Sequence, residues 1–165
     1  MKKWRKLIII AGIALVATGC GSKEEDTIKD EIIHYVEQTN EIADIKNQAI
    51  ITYNDICAGA EGMDKDELIE GLQTEVLSKL EEYETELAKV TVNTQELEEL
   101  KKTLQQIVSE QKQDVQDTME ALEGYEPEVI DDINLSIEEN KKAYEEYMTQ
   151  LKDYAQKYNI QITEE

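Results

Sequence analysis

Glu31-Ile32-Ile33-His34 has the E-x-x-H spacing that sets a carboxylate and an imidazole on one helix face. Carboxylate-bridged di-metal bundles use two such motifs plus two further inward glutamates. His34 is the only histidine of the chain, so the second motif cannot be assembled, nor can a His-rich zinc site. Glu61 to Glu67 (EGMDKDE) gathers acids but lacks the twelve-residue alternation of a calcium loop. Helix capping accounts for Asp64 and Glu67. The pairs Glu81-Glu82, Glu98-Glu99, Glu138-Glu139 and Glu145-Glu146 are adjacent, and adjacent residues on a helix do not face each other. They read as a solvated outer face. Cys57, in Ile56-Cys57-Ala58, has no basic neighbour and no matching histidine, so it reads as a small buried hydrophobe, with an intermolecular disulfide as the alternative, and not as a nucleophile. Phosphate-loop, dinucleotide and nucleophile-elbow motifs are absent from the sequence. The expectation is a non-enzymatic protein with no metal, no cofactor and no catalytic residue.

Tyr144, Tyr147, Tyr154 and Tyr158 are half of the eight tyrosines and fall on one helical stripe. In a chain without Phe they can fill a core, each hydroxyl reaching the edge of the packing. They are also candidate partner-binding residues, lining an amphipathic groove for a glycan, a peptide or a partner helix. The core reading is preferred for Tyr147 and Tyr154. Inward polar groups such as Asn140 and Gln111 would suit a different use, a small-ligand or metal receptor working from a cavity within a bundle.

Four helical segments must position these residues. The first opens at Ser22-Lys23-Glu24-Glu25, a capping-box pattern. Its stripe runs Ile28, Ile32, Tyr35, Ile42, Ala49, Tyr53, Ile56, with Thr39 and Lys46 as weak positions. Glycines after Cys57 end it. The second begins at Asp64, with Glu67 as box partner and Met63 packing on Leu68. Its stripe is Ile69, Leu72, Val76, Leu80, Tyr83, Leu87, Val90. Val90-Thr91-Val92 is a poor helix interior, and Asn93 with Glu96 repeats the box. The third carries Leu97, Leu100, Leu104, Val108, Val115, Met119 and Leu122 and closes at Gly124. The fourth opens at Pro127 and carries Ile130, Ile133, Ile137, Asn140, Tyr144, Tyr147, Leu151, Tyr154 and Tyr158. Steps of three and four put each set on one face. Turn signals at strand spacing are missing. Short connections make neighbouring helices antiparallel. The predicted fold is all-α, an antiparallel up-down four-helix bundle. The alternative is an elongated three-helix coiled coil in which helices two and three are fused.

The chain has 165 residues and a formal charge of −21. Lys2, Lys3, Arg5 and Lys6 carry all the charge before residue 20. Without that segment 13 basic residues face 38 acidic ones, a charge of about −25. Such a surface excludes nucleic acid, which is bound through Lys and Arg on phosphate. It is equally repelled by anionic lipid.

Residues 1–20 differ from the rest. The cationic head is followed by the apolar run Leu7 to Val16, then by Ala17-Thr18-Gly19 and Cys20. This is the three-part layout of a secretory signal, and the run is short for a membrane span, which needs ~20 apolar residues. Ala17-Thr18-Gly19-Cys20 resembles the lipobox of bacterial lipoproteins, with Ala17 where that family more often has Leu. The resemblance covers residues 1–20. It implies cleavage between Gly19 and Cys20 and a diacylglyceryl group, with acyl chains of the palmitate kind, on the Cys20 thiol. Two acyl chains give a stable anchor where one gives marginal binding.

The chain then divides into a lipoprotein signal peptide, 1–19, and an acidic helical-bundle domain, 20–165. Its layout is similar to that of small helical lipoproteins of Gram-positive bacteria described as cell-wall-binding. The implied place is the extracytoplasmic face of a cell membrane, attached through Cys20. The implied role is a binding or scaffold module of the envelope whose partner is another envelope protein or a wall polymer.

Overall fold

The computed structural model describes residues 13–17, 23–62, 64–124 and 129–164. The cationic head, Gly19, Cys20, Ser22, Met63 and Pro127, each given a role above, lie outside the described residues.

The described chain is almost all helix, in four antiparallel segments (α1 to α4) with a two-stranded sheet at one end. Helix α1 spans Lys23–Gly59 and runs into a single 3-10 turn, Ala60–Gly62. Helix α2 is built from Lys65–Gly71, a widened π turn at Leu72–Leu77, and Ser78–Lys89. Helix α3 spans Gln95–Gly124 and α4 spans Val129–Lys157. Helices two and three are separate: Val90 leaves the helix with ψ 123°, and Val90 to Thr94 form an irregular connection. The β-branched run loses side-chain freedom in a helix, which lowers its helix propensity there. Consecutive helices pack on one another, giving the up-down order.

Asp64 caps α2 as the sequence suggests, its carboxylate accepting from the Asp66 N–H at 2.9 Å. Helix α3 begins differently from the expected Asn93 box. Its first backbone bond runs from Glu98 N–H to Thr94 C=O. The free N–H groups of Asn93 and Thr94 are taken by one oxygen of Glu31, from α1; the Thr94 bond is 2.9 Å. A carboxylate there also meets the positive end of the helix dipole. Glu31 of the E-x-x-H pattern is therefore a cap, while His34 is exposed.

The strands were not expected. Ile13–Ala17 (β1) and Ile160–Glu164 (β2) pair antiparallel, Leu15 opposite Ile162. Asn159, at φ 58°, makes the reversal between α4 and β2. Helix α4 thus ends at Lys157, one residue short of Tyr158. Alternation places Ile160 and Ile162 inward and Gln161 and Thr163 outward.

The core forms two clusters along the bundle. One, at the sheet end, contains Ile32, Tyr35, Val36, Leu87, Leu97, Leu104, Val108, Tyr147, Leu151 and Tyr154. The other, at the far end, contains Ala49, Ile50, Tyr53, Leu72, Val76, Leu80, Val115, Ile133 and Ile137. The sequence stripes supply most of both. No helix of the described residues is long and apolar enough to cross a membrane.

Candidate functional site: a buried polar seam

Between and beside the two clusters lie polar side chains that a helical bundle ordinarily keeps outside. Lys29, Thr39, Lys46, Gln111, Asp114, Thr118 and Asn140 are all buried. Lys46 and Thr118 meet tyrosine side chains, and Asn140 meets Asp114, in a seam along the core. Thr39 returns its hydroxyl to the backbone of its own helix, at 2.9 Å from the Tyr35 carbonyl.

At the sheet end, the hydroxyls of Tyr35 and Tyr147 hydrogen-bond at 3.0 Å. Desolvation pushes Tyr35 up to about 12 and Tyr147 well above the usual phenol range. Both stay neutral phenols at any physiological pH, one donating to the other. Tyr144, half-buried, stacks on Tyr147 with ring centres 5.8 Å apart.

Next along α1 comes Lys46, 1% exposed. Its Nζ lies 5.5 Å from the Tyr144 ring centre and 5.9 Å from that of Tyr83. Those faces attract a cation, but removal from water works against the charge and lowers the ammonium to about 7. Position 46 falls on the apolar stripe between Ile42 and Ala49. The sequence signal was therefore a lysine at a core position, which looks like an imperfection unless its aromatic neighbours on α2 and α4 are known.

Further on, Asn140 of α4 donates from Nδ2 to Asp114 Oδ2 of α3 at 2.9 Å. Burial raises the Asp114 carboxyl to about 6, against the opposing effect of hydrogen bonds from Ser136 and Asn140. Gln111 Oε1 and Asn140 Oδ1 are buried with no hydrogen-bond partner. Tyr53 and Thr118 close the seam at 3.1 Å. Cys57 sits half-buried one turn beyond Tyr53, its thiol pushed up to about 11 mainly by burial, with a hydrogen bond from Tyr53 opposing. A thiol held that high is a poor nucleophile.

The structure stacks Tyr144 on Tyr147 and sets Asn140 against Asp114. Tyr147 and Tyr154 are buried in the sheet-end cluster, and Tyr158 packs edge-on against Tyr154 with centres 5.4 Å apart. These rings fill space between helices. Two surface clefts, about 540 and 510 Å³, lie at the far end, the first lined by Lys65, Asp66, Ile69, Glu70 and Glu123, the second by Asp117, Glu120 and Val129. Neither is lined by the buried seam residues. Chemically the seam offers a near-neutral amine, a protonatable carboxyl, two unused amide oxygens and several phenols. Among the described residues no group of three or more His, Cys, Asp or Glu side chains is placed to hold a metal ion.

Comparison of the chain with protein-family models, with curated proteins and with solved structures gives no match.

Proposed function

We propose that the chain is a lipid-anchored binding or scaffold module on the extracytoplasmic face of a cell membrane, without enzymatic activity. One observation carries this reading: the cationic head, apolar run and small residues end on Cys20, three residues before α1 starts at Lys23. A diacylglyceryl group on Cys20 would sit at the foot of a rigid helix. The charge of about −25 on the remaining chain opposes binding to anionic lipid, so membrane attachment in this reading rests on the covalent anchor. The partner in this reading is another envelope protein or a wall polymer.

The test is expression of the full chain in a lipoprotein-processing bacterium, followed by mass spectrometry of the membrane extract. The expected product starts at Cys20 and carries two acyl chains, with a third where the host also acylates the new N-terminus. Cys20→Ala should leave the precursor uncleaved or release the protein. An unmodified Cys20 in the extracted protein refutes the anchor.

A second reading, a small-molecule receptor, is favoured by Gln111 Oε1 and Asn140 Oδ1, two buried acceptors left without donors. A ligand bearing N–H or O–H groups would satisfy them. Calorimetric titration of polar metabolite mixtures against wild type and Asn140→Leu distinguishes it: heat that the substitution abolishes supports a receptor, and none in either refutes it.

A further inference from the structure

Strand β1 lies wholly within the segment that the proposed cleavage removes. In the structure it occupies a built site. Ile13 and Leu15 pack against the sheet-end cluster, while Val16 faces solvent. Asn40 of α1 grips the Ile13 backbone with both arms of its amide: Nδ2 donates to the carbonyl at 2.7 Å and Oδ1 accepts from the N–H at 3.3 Å. In an antiparallel pair the N–H and C=O of one residue point to the same side, and sides alternate along the strand. Ile13 therefore turns its backbone toward Asn40, and Ala14 and Val16, opposite Thr163 and Gln161, turn theirs toward β2.

We propose that the processed chain holds, in place of β1, an extended apolar segment of a partner protein, added antiparallel to the open edge of β2. The inference rests on the lipoprotein reading, because removal of residues 1–19 is what vacates the site. The occupant's chemistry follows from what fits there in the structure. It is a strand of about five uncharged residues with branched or aliphatic side chains at alternate positions, matching Ile13 and Leu15. A backbone N–H and C=O must be free at the residue facing Asn40. The net negative charge of the chain disfavours carboxylates on its flanks and favours Lys or Arg there. Affinity comes from main-chain pairing and selectivity from the two inward side chains, as in other strand-addition complexes. An unpaired β2, with Ile160 and Ile162 beneath it, would otherwise be an exposed apolar edge.

The experiment uses the full chain with Cys20→Ala and a protease site inserted between residue 20 and Lys23. After cutting and removal of the leader, a fluorescein-labelled peptide of residues 12–18 is titrated by anisotropy while circular dichroism follows the helices. The expected result is saturable binding to the cut chain and none to the uncut chain, whose site is filled. Asn40→Ala should weaken binding about tenfold, as should N-methylation of Ala14 and Val16 in the peptide, which removes ladder donors and leaves the inward side chains intact. A cut chain that keeps its helices but binds no peptide overturns the inference, and so does equal affinity for the N-methylated peptide. Loss of the helical signal on leader release also overturns it, since β1 would then be a structural strand. Failure of the anchor itself shows separately, as a full-length mass in the membrane extract.

Discussion

Tyr35 and Tyr147, 112 positions apart in the chain, join their hydroxyls at 3.0 Å inside the bundle, tying α1 to α4. Each hydroxyl takes much of its polar satisfaction from the other. Removing one leaves the other buried and unpaired, at a cost of about 1–3 kcal/mol, while removing both restores an apolar contact. Tyr35→Phe and Tyr147→Phe should each lower the unfolding free energy by that amount, and the double variant should lose less than the sum. Urea denaturation of the four proteins measures the coupling, and strict additivity would show that the bond contributes nothing. Tyr147→Ala removes the ring as well and should cost about 3–5 kcal/mol.

Lys46 gives the stability a basic-side slope. Its ammonium is lowered from 10.5 to about 7 in the folded chain, so between those values the unfolded chain binds the extra proton. Stability contributed by this position therefore rises with pH across about 7 to 10.5, and the full penalty is present below 7. Lys46→Met, which keeps the stem and drops the amine, should raise stability at pH 6.5 by up to about 5 kcal/mol. The advantage should shrink as pH approaches 10. Thermal melts over that range read it, and a pH-independent difference would place the amine in contact with water.

Asp114 gives a slope of the same origin and opposite sign. Its carboxyl is raised from 3.8 to about 6, so in that window the folded chain binds the extra proton. This group's contribution is most favourable below 3.8 and is lost as pH rises to about 6. Asp114→Asn can keep an acceptor for Asn140 without the charge. It should be more stable than wild type at pH 7 by about 2–3 kcal/mol at most, and the gap should close by pH 4. A destabilised Asn variant at pH 7 would mean the charge is needed by a group facing it.

Glu31 holds two N–H groups at the start of α3 from a different helix. Glu31→Ala should cost about 1–2 kcal/mol, the range for loss of an N-cap. Hydrogen exchange should accelerate first at Asn93 and Thr94. Glu31→Gln keeps an acceptor oxygen and should recover part of the loss; exchange rates unchanged in both variants would show that water caps the helix equally well.

The helices were readable because the signals are local. Apolar steps of three and four recur over many turns, and the β-branched run at Val90 and the glycines near residue 60 interrupt them where the chain leaves the helix. Residues whose roles depend on another helix were not readable in the same way. Lys46 and Thr39 counted as flaws in a stripe, although the stripe position itself said that they point inward. Asn93 and Glu96 satisfied a capping pattern, but Glu31 from α1 supplies the acceptor. Strand β2 carries an alternating Ile160-Gln161-Ile162-Thr163, too short to stand out, and its partner lies at the opposite end of the sequence. The stripe position of Asn140 points inward, and Asn140 and Gln111 are both buried, while their partners depend on the packing of α3 on α4.

The buried polar seam also fixes how the helices are aligned along their length. Four helices with apolar stripes could slide past one another by a turn, about 5.4 Å, and still bury hydrocarbon against hydrocarbon. Such a slide would carry Asn140 away from Asp114 and Lys46 away from the faces of Tyr83 and Tyr144, leaving a buried amide and an amine against aliphatic carbon. Apolar contact is indifferent to such offsets, whereas a hydrogen bond of 2.9 Å is not. A buried polar seam of this kind commonly costs stability against an apolar core of the same volume and favours one vertical setting, as a buried polar residue does in a coiled coil. The site held by Asn40 and β2 inherits that setting, since α1 and the end of α4 must arrive at the same height to form it.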